Sequence, residues 1–286
     1  MPTMPAWTWE WHPHPETWGL VLALFLGYQY ALRRIGPRKV RDGQPVATRG
    51  QKIAFTSGIA VLLIAVEWPV HDLAEGYLYS VHMLQHMTLS LVVPPLLMVG
   101  TPPWLVRTLI PPRAMRIARR LTRPLIALVI FNATIVITHW PVLVNRSVGN
   151  EGLHFGLHAV LVLASMIMWT PVLSPVLELP RLSLPAQMFY LFLQSIVPTV
   201  PASFLTFGER PLYAAYDAFP HLWGISTLAD QRTAGLIMKL LGGFVLWGFI
   251  MVIFFRWAKI ERDEGIDVIQ MHGVDRELNR MEMVDR

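Results

Sequence analysis

Residues 77–104 read YLYSVHMLQHMTLSLVVPPLLMVGTPPW, and this stretch decides the fold of the chain. Its apolar part is long enough to cross a bilayer, which takes about 20 residues in an α-helix. His82 and His86 stand at the head of the run, four residues apart, so on a helix their imidazoles share one face about 6 Å apart. The stretch therefore predicts a membrane helix that carries a pair of metal-type ligands near one end.

The rest of the chain has the same apolar character. Of its 286 residues, 53% are hydrophobic and 15% are charged, and the mean hydropathy is +0.44. A soluble domain carries about a quarter charged residues, and the polar stretches here are too short to bury a core of their own. We therefore predict an all-α polytopic membrane helix bundle. The chain contains no cysteine, which excludes disulfides and thiolate metal sites.

Seven apolar segments are each long enough to span a bilayer. They lie at approximately 17–34, 53–70, 79–99, 124–141, 153–173, 185–205 and 233–256. Residues 1–286 then form a single membrane domain, consisting of an outer N-terminal segment 1–16, a seven-helix bundle 17–256 and a cytoplasmic tail 257–286.

Basic residues predict the orientation of these spans. Seven Lys and Arg residues lie between positions 33 and 52 and six lie between 107 and 123, whereas the segments 1–16 and 71–78 have none. By the positive-inside rule the N-terminus is outside and the C-terminus is cytoplasmic. The net charge of +5 therefore indicates loops that face anionic lipid, and we expect no nucleic-acid partner. Residues 111–124, PPRAMRIARRLTRP, predict a short amphipathic helix on the cytoplasmic lipid surface.

Nine of the ten histidines fall on the outer side of this topology. His82 and His86 form one HxxxH pair in span three, His154 and His158 form a second in span five, and His139 closes span four. A single histidine at a membrane interface is ordinary, because its ring has a polar and an apolar side. Two pairs at matching depth on different helices instead predict a shared ligand cluster, since polar groups that meet inside a membrane mark function.

The types of the candidate ligands restrict which metal ion they would bind. Neutral imidazole suits copper, zinc and iron, whereas thioether sulfur selects Cu(I). Met83 and Met87 flank the histidine face of span three, so they are secondary candidate ligands, although a helical methionine is most often a core filler. The sequence shows no nucleophile–base pair, phosphate loop or two-carboxylate site, and we expect no enzyme.

The start of span seven places further polar residues at the same depth in the membrane as the histidines. LADQRTAGLIMK, residues 228–239, contains Asp230, Met238 and Lys239. A lysine at this depth costs several kcal/mol unless it pairs or extends to the interface. Asp230 and Glu75 are its candidate partners.

Three blocks of the sequence resemble the CtaG-like cytochrome c oxidase assembly factors of bacteria. They are SVHMLQHMTLSLVVPPLLMVGTP, THWPVLVN followed by LHFGLHAVLVLASMIMWTPVL, and PLYAAYD followed by LADQRTAGLIM, and the resemblance covers about residues 67–250. It implies a multi-pass protein of the bacterial inner membrane that helps to mature haem–copper oxidases, with cytochrome c oxidase subunits as partners. The positions that match the family are His71, His82, Met83, His86, Met87, His139, His154, His158, Asp230, Gln231 and Met238. Lys239 departs from the family pattern, and a cation there argues against Met238 as a direct ligand.

Together these observations predict a copper-handling assembly factor. Cu(I), received from a periplasmic copper donor, would bind His86 and His158, which lie one turn deeper than their partners. His82, His139 and His154 would be outer ligands or an entry path, and Asp230 would attract the cation or orient an imidazole. Two alternatives stay open: a membrane cytochrome with haem between the paired histidines, and a metal-free scaffold that uses the histidines as polar glue between subunits.

Overall fold

The structure, a computed structural model, describes residues 7–284, with side chains through residue 263. The described residues form helices and connecting loops without any strand, which confirms the predicted all-α class. The predicted tail 257–286 falls largely beyond the described side chains, although helix runs on through Val284.

Thirteen α-helices follow one another along the described part of the chain. They are α1 Pro15–Tyr30, α2 Arg49–Val66, α3 Val70–Gly76, α4 Tyr79–Met87, α5 Val93–Gly100, α6 Pro103–Leu109, α7 Pro112–Leu121, α8 Pro124–Thr138, α9 Pro141–Ser147, α10 Glu151–Leu173, α11 Leu184–Ile196, α12 Thr199–Phe207 and α13 Thr227–Val284. Two π-helical segments, Ala31–Ile35 and Thr88–Val92, continue α1 and join α4 to α5.

By length and composition, five helical segments of the described chain are able to cross a membrane. They are Arg49–Val66, Tyr79–Gly100, Glu151–Leu173, Leu184–Phe207 and Thr227–Asp263. Helices α7 and α8 meet at 77° and make a sixth span if they are counted together. Alone, the 15 residues of α8 extend about 22 Å, which is less than the thickness of the hydrocarbon core. The chain is therefore a membrane protein, and the count of seven spans and their orientation stay predictions.

Helix α7 has the amphipathic character that its sequence predicts. Met115 is buried against Val176 and Leu179, while the arginines of the helix are exposed. The sharp angle to α8 lets α7 run across the direction of the spans, as a helix on a lipid surface does.

The broken helix α4–α5 is the centre of the bundle. Helix α4 packs between α3 and α13, and α5 packs along α2 and α10. Gly100 lies against the backbone of Phe55, so a Cβ at this position would collide with α2. The absence of a side chain therefore permits the close approach of α5 to α2.

The break in this central helix follows from its prolines. Pro94 has no N–H, so the carbonyl of Ser90, four residues earlier, has no backbone donor at that position. The indole Nε1 of Trp169 on α10 donates to this carbonyl over 3.1 Å, and both residues are fully buried. A neighbouring helix thus satisfies the freed backbone group, which is what allows proline inside a membrane helix.

Candidate metal centre

Helix α4 directs two histidines into the interior of the bundle. The ring centroids of His82 and His86 are 4.2 Å apart, and each residue is 8% exposed. They are one helical turn apart, so the predicted shared face is confirmed.

Helix α10 brings the second pair against the first. His154 and His158 have ring centroids 4.4 Å apart, and the Nε2 atoms of His158 and His86 are separated by 2.9 Å. His82 also lies against this pair, with its ring 5.2 Å from that of His154 and 5.6 Å from that of His158. The predicted convergence of the two HxxxH pairs is confirmed.

His139 lies at the edge of the same group. It follows the last residue of α8, and its ring is 6.3 Å from that of His86. Its Nδ1 donates to the carbonyl of Ile135 over 2.7 Å, which leaves Nε2 as the nitrogen that can coordinate a metal. The Tyr213 hydroxyl donates to the His139 carbonyl and fixes the backbone there. We call His82, His86, His139, His154 and His158 the histidine cluster.

Two groups in this region have the spacing of metal ligands. One ligand atom from each of His82, His86 and His158 lies within 4.8 Å of the others, and the same holds for Glu75, His154 and His158. Tetrahedral coordination at about 2.0 Å from each nitrogen needs the two nitrogens about 3.3 Å apart. The His86–His158 separation of 2.9 Å therefore has to open by only a few tenths of an ångström, which a small ring rotation supplies.

The donor atoms also fit a metal because one of them has no other partner. His82 Nδ1 is buried and makes no hydrogen bond in the described structure. A buried polar atom without a partner costs about 1–3 kcal/mol. Coordination to a metal ion removes that cost, so the imidazole donors fit a metal that prefers nitrogen.

Glu75 belongs to this site, although the sequence suggested it only as a partner for Lys239. Its Oε1 atom is 3.1 Å from His154 Nε2 and 3.5 Å from His71 Nδ1. Burial raises the pKa of Glu75 to about 7. The only local signal was the i,i+4 spacing of His71 and Glu75, which places both on one face of α3.

In the part of the chain that the structure describes, the Asp230 carboxylate makes no hydrogen bond or ion pair with a histidine. Its two carboxylate oxygens accept hydrogen bonds from the backbone N–H groups of Tyr79 at 2.6 Å and Ser80 at 3.1 Å. These are the first two N–H groups of α4, which have no partner inside the helix, and a negative charge at this end is favourable. Asp230 therefore fixes the start of the helix that carries His82 and His86, rather than orienting an imidazole as predicted.

The neighbouring Gln231 has a similar structural role. Its side-chain oxygen accepts from the backbone N–H of Leu212, and its nitrogen donates to the carbonyl of Leu205. It thereby ties the loop after α12 to α13. The motif that carries the family resemblance at this point thus positions helices and loops around the histidine cluster.

The methionines lie beside the cluster, in the apolar core. Met83, Met87 and Met238 are between 0% and 5% exposed and pack in one hydrophobic core with Trp169. This placement fits the interpretation of the three as core fillers, and their role as secondary ligands stays a prediction.

The predicted partners of Lys239 are wrong. Asp230 is engaged with α4 and Glu75 with the histidines, while Lys239 is exposed beside Phe244 in an apolar groove of the bundle surface. Within the side chains that the structure describes, no carboxylate lies within 4.0 Å of its nitrogen. Lys239 therefore follows the other interpretation, a cation that extends away from the bundle.

One comparison with known proteins identifies relatives of the chain. The model of the family described as cytochrome c oxidase caa3 assembly factor matches residues 26–259. No curated protein and no solved structure matches the chain. The matched range includes the whole histidine cluster, Glu75 and Asp230, and it begins after His12 and His14.

Proposed function

Because this chain belongs to the cytochrome c oxidase caa3 assembly factor family, we propose that it holds Cu(I) at the histidine cluster and passes it to a copper centre of the oxidase. The chain is a membrane protein of an oxidase assembly family, so oxidase subunits are its partners. We place it in the bacterial inner membrane with the histidine cluster on the outer side, where a periplasmic copper donor has access.

The observation that carries the proposal is the meeting of His82, His86 and His158. Three imidazoles from two helices place ligand atoms within 4.8 Å of one another in a buried site. Buried polar groups inside a membrane are costly unless they meet a partner, so their convergence points to a bound species. Imidazole donors at low coordination number suit Cu(I), which exchanges readily between ligands.

We assign His86 and His158 as the primary ligands, because their Nε2 atoms already face each other. His82 supplies the third nitrogen. His154 and Glu75 form the outer part of the site, and His139 can enter it through Nε2. The carboxylate of Glu75 balances the charge of the bound cation.

The same geometry disfavours haem at this position. A haem iron held by two histidines separates their nitrogens by about 4 Å and needs space for a flat macrocycle between them. His86 and His158 instead lie in direct contact, and His82 and His154 occupy the space beside them. The scaffold alternative remains the outcome against which the copper proposal is tested.

The test compares the double variant His86→Ala, His158→Ala with the native protein in cells at limiting copper. The double variant should insert normally, lose retained copper and leave the oxidase short of copper, and added copper should restore part of the activity. His221→Ala is the matched control, since this histidine is exposed and, in the described structure, its ring hydrogen-bonds only with Thr227. If the double variant matures the oxidase as well as the native protein does, the copper proposal is wrong and the scaffold alternative replaces it.

A further inference from the structure

An apolar groove runs along the bundle surface between α11, α12 and α13. Its volume is about 1070 Å³, and its lining alternates between large aromatic side chains, such as Phe204 and Phe244, and small residues, such as Ser203 and Gly243. A Cβ at Gly243 would meet no atom within 4 Å, so the groove is open along this part of α13. Small residues on a membrane helix allow another helix to approach closely. We call this surface the Lys239 groove, after the one charged residue in its described lining.

Lys239 places a cation in this groove at a depth where the membrane is hydrocarbon. It is the only charged residue between Arg232 and Arg256 on α13, and both arginines are exposed. The two arginines lie about 36 Å apart along the helix, which is close to the hydrocarbon thickness of about 30 Å. Lys239 lies about 10 Å further into the span than Arg232. Its stem reaches about 6 Å, so the ammonium group cannot return to the level of that arginine.

This cation has no counter-charge within the part of the chain that the structure describes. No carboxylate forms an ion pair with Lys239, and its nitrogen makes no hydrogen bond to a described residue. A charge inside a membrane is costly unless it meets a partner. Lipid tails cover apolar side chains, but they carry no charge that could pair with a lysine. The occupant that fits the groove is therefore apolar along its length and acidic at one point.

We propose that the Lys239 groove binds a transmembrane helix of an oxidase subunit, and that this helix carries an aspartate or glutamate at the depth of Lys239. The choice of an oxidase subunit rests on the proposed function, whereas the shape and charge of the groove do not. Lys239 and Trp247 lie about 12 Å apart along α13, so the partner helix is in contact over about two turns.

A second copy of this chain does not meet the requirement for a carboxylate. In the five segments that are able to cross a membrane, acidic residues stand only near the ends, at Glu151, Asp230, Glu261 and Asp263. None of them is at the depth of Lys239. A symmetric dimer through the groove would also bring the same surface of both copies together, and with it two lysines of like charge. Charge complementarity therefore favours a different protein.

The groove lies behind the helix that carries the metal ligands. A smaller cavity of about 30 Å³ shares Ser195, Lys239 and Gly243 with the groove and continues to Met87 and Ser90. Met87 directly follows His86 on α4. The partner helix is thus close to the broken helix α4–α5, which suits a subunit that receives copper from the histidine cluster.

Photo-crosslinking of the full-length protein in its native cells tests the proposal. A photoreactive amino acid is placed at Phe244 in the groove or, as the control, at Leu163 on α10; the two side chains are 74% and 61% exposed. We expect the probe at Phe244 to crosslink to an oxidase subunit, at a transmembrane helix with an acidic residue, and the probe at Leu163 not to do so. Lys239→Leu should lower the yield at Phe244 about 10-fold or more, and Lys239→Arg should retain it.

A charge exchange makes the test specific for the ion pair. Lys239→Glu should abolish the crosslink, and replacing the partner's acidic residue by lysine should restore it in that background. Crosslinks to a second copy of this chain, adducts with lipid alone, or a yield that does not depend on Lys239 would each overturn the proposal.

The same cells separate this proposal from the proposed function. His86→Ala, His158→Ala should keep the crosslink, and Lys239→Leu should bind Cu(I) as the native protein does while the oxidase stays immature even with added copper. If Lys239→Leu keeps the crosslink while the histidine variant lacks active oxidase, the docking proposal fails and the proposed function stands. If the histidine variant matures the oxidase and the crosslink depends on Lys239, the proposed function fails and the docking proposal stands.

Discussion

Replacing Asp230 by Asn tests whether this carboxylate acts on helix α4 or on the metal. The native carboxylate accepts from the first two backbone N–H groups of α4, at Tyr79 and Ser80, and it is 6% exposed. Asparagine has one acceptor oxygen, so one of these two N–H groups loses its partner and meets an amide nitrogen instead. The variant also removes the negative charge from the start of the helix.

The loss is large because both bonds are to a charged group. A hydrogen bond to an ionised partner contributes about 1.5–3 kcal/mol, and the charge at the helix N-terminus adds about 0.3–1 kcal/mol. We expect Asp230→Asn to lower the free energy of unfolding by about 2–4 kcal/mol as the sum of these two effects. His82 lies in the first turn of α4, so copper affinity should fall with the loss of helix order.

Thermal unfolding in detergent and Cu(I) titration of the same samples measure both effects. Asp217→Asn is the control, because Asp217 is an exposed acidic residue between α12 and α13. A variant with native stability that has nevertheless lost copper would refute the capping argument and return Asp230 to a direct electrostatic role.

Three further predictions follow from the fold and the site. Gly100→Ala should lower the free energy of unfolding by about 1–3 kcal/mol, because its Cβ would collide with the backbone of Phe55, whereas Gly19→Ala, with open space around it, should not. Lys239→Leu should leave copper binding unchanged. Thermal unfolding should show an equal or higher free energy of unfolding, because the substitution removes from an apolar groove a cation that has no acidic partner. In the copper-free protein, infrared spectroscopy should show a protonated Glu75 that titrates near pH 7 and is absent in Glu75→Gln. Because the folded state keeps this proton longer than the unfolded state, the free energy of unfolding should fall as the pH rises from 4.5 to about 7.

The convergence of the histidines was predictable because helical periodicity fixes which residues share a face. His82 with His86, and His154 with His158, needed only the 3.6-residue repeat and a common depth in the membrane. The roles of Asp230 and Glu75 were not predictable in this way. Each depends on a helix from a distant part of the chain, and no local pattern states which backbone or ring a carboxylate will meet.

The number of spans was likewise only partly predictable from local sequence. Five of the seven predicted apolar segments overlap helices that are able to cross a membrane, whereas α8 has only 15 helical residues and turns sharply into α7. Proline and the run of basic residues end the helix before the apolar segment is long enough to cross. The pairing expected for Lys239 failed because the charges face different ways. Asp230 lies on the side of α13 that meets α4, Lys239 lies exposed on the same helix, and Glu75 on α3 faces the histidines.

The hydrogen bond from Trp169 to the Ser90 carbonyl determines the order in which Pro94 and Trp169 can be substituted during evolution. If Pro94 were replaced first, the new N–H would satisfy Ser90 from within the helix, and a later loss of Trp169 would leave that carbonyl with its donor. If Trp169 were lost first, a buried carbonyl in the membrane would have no donor. A lineage can therefore leave this arrangement only by replacing Pro94 before Trp169, so Trp169 should be retained wherever Pro94 is retained.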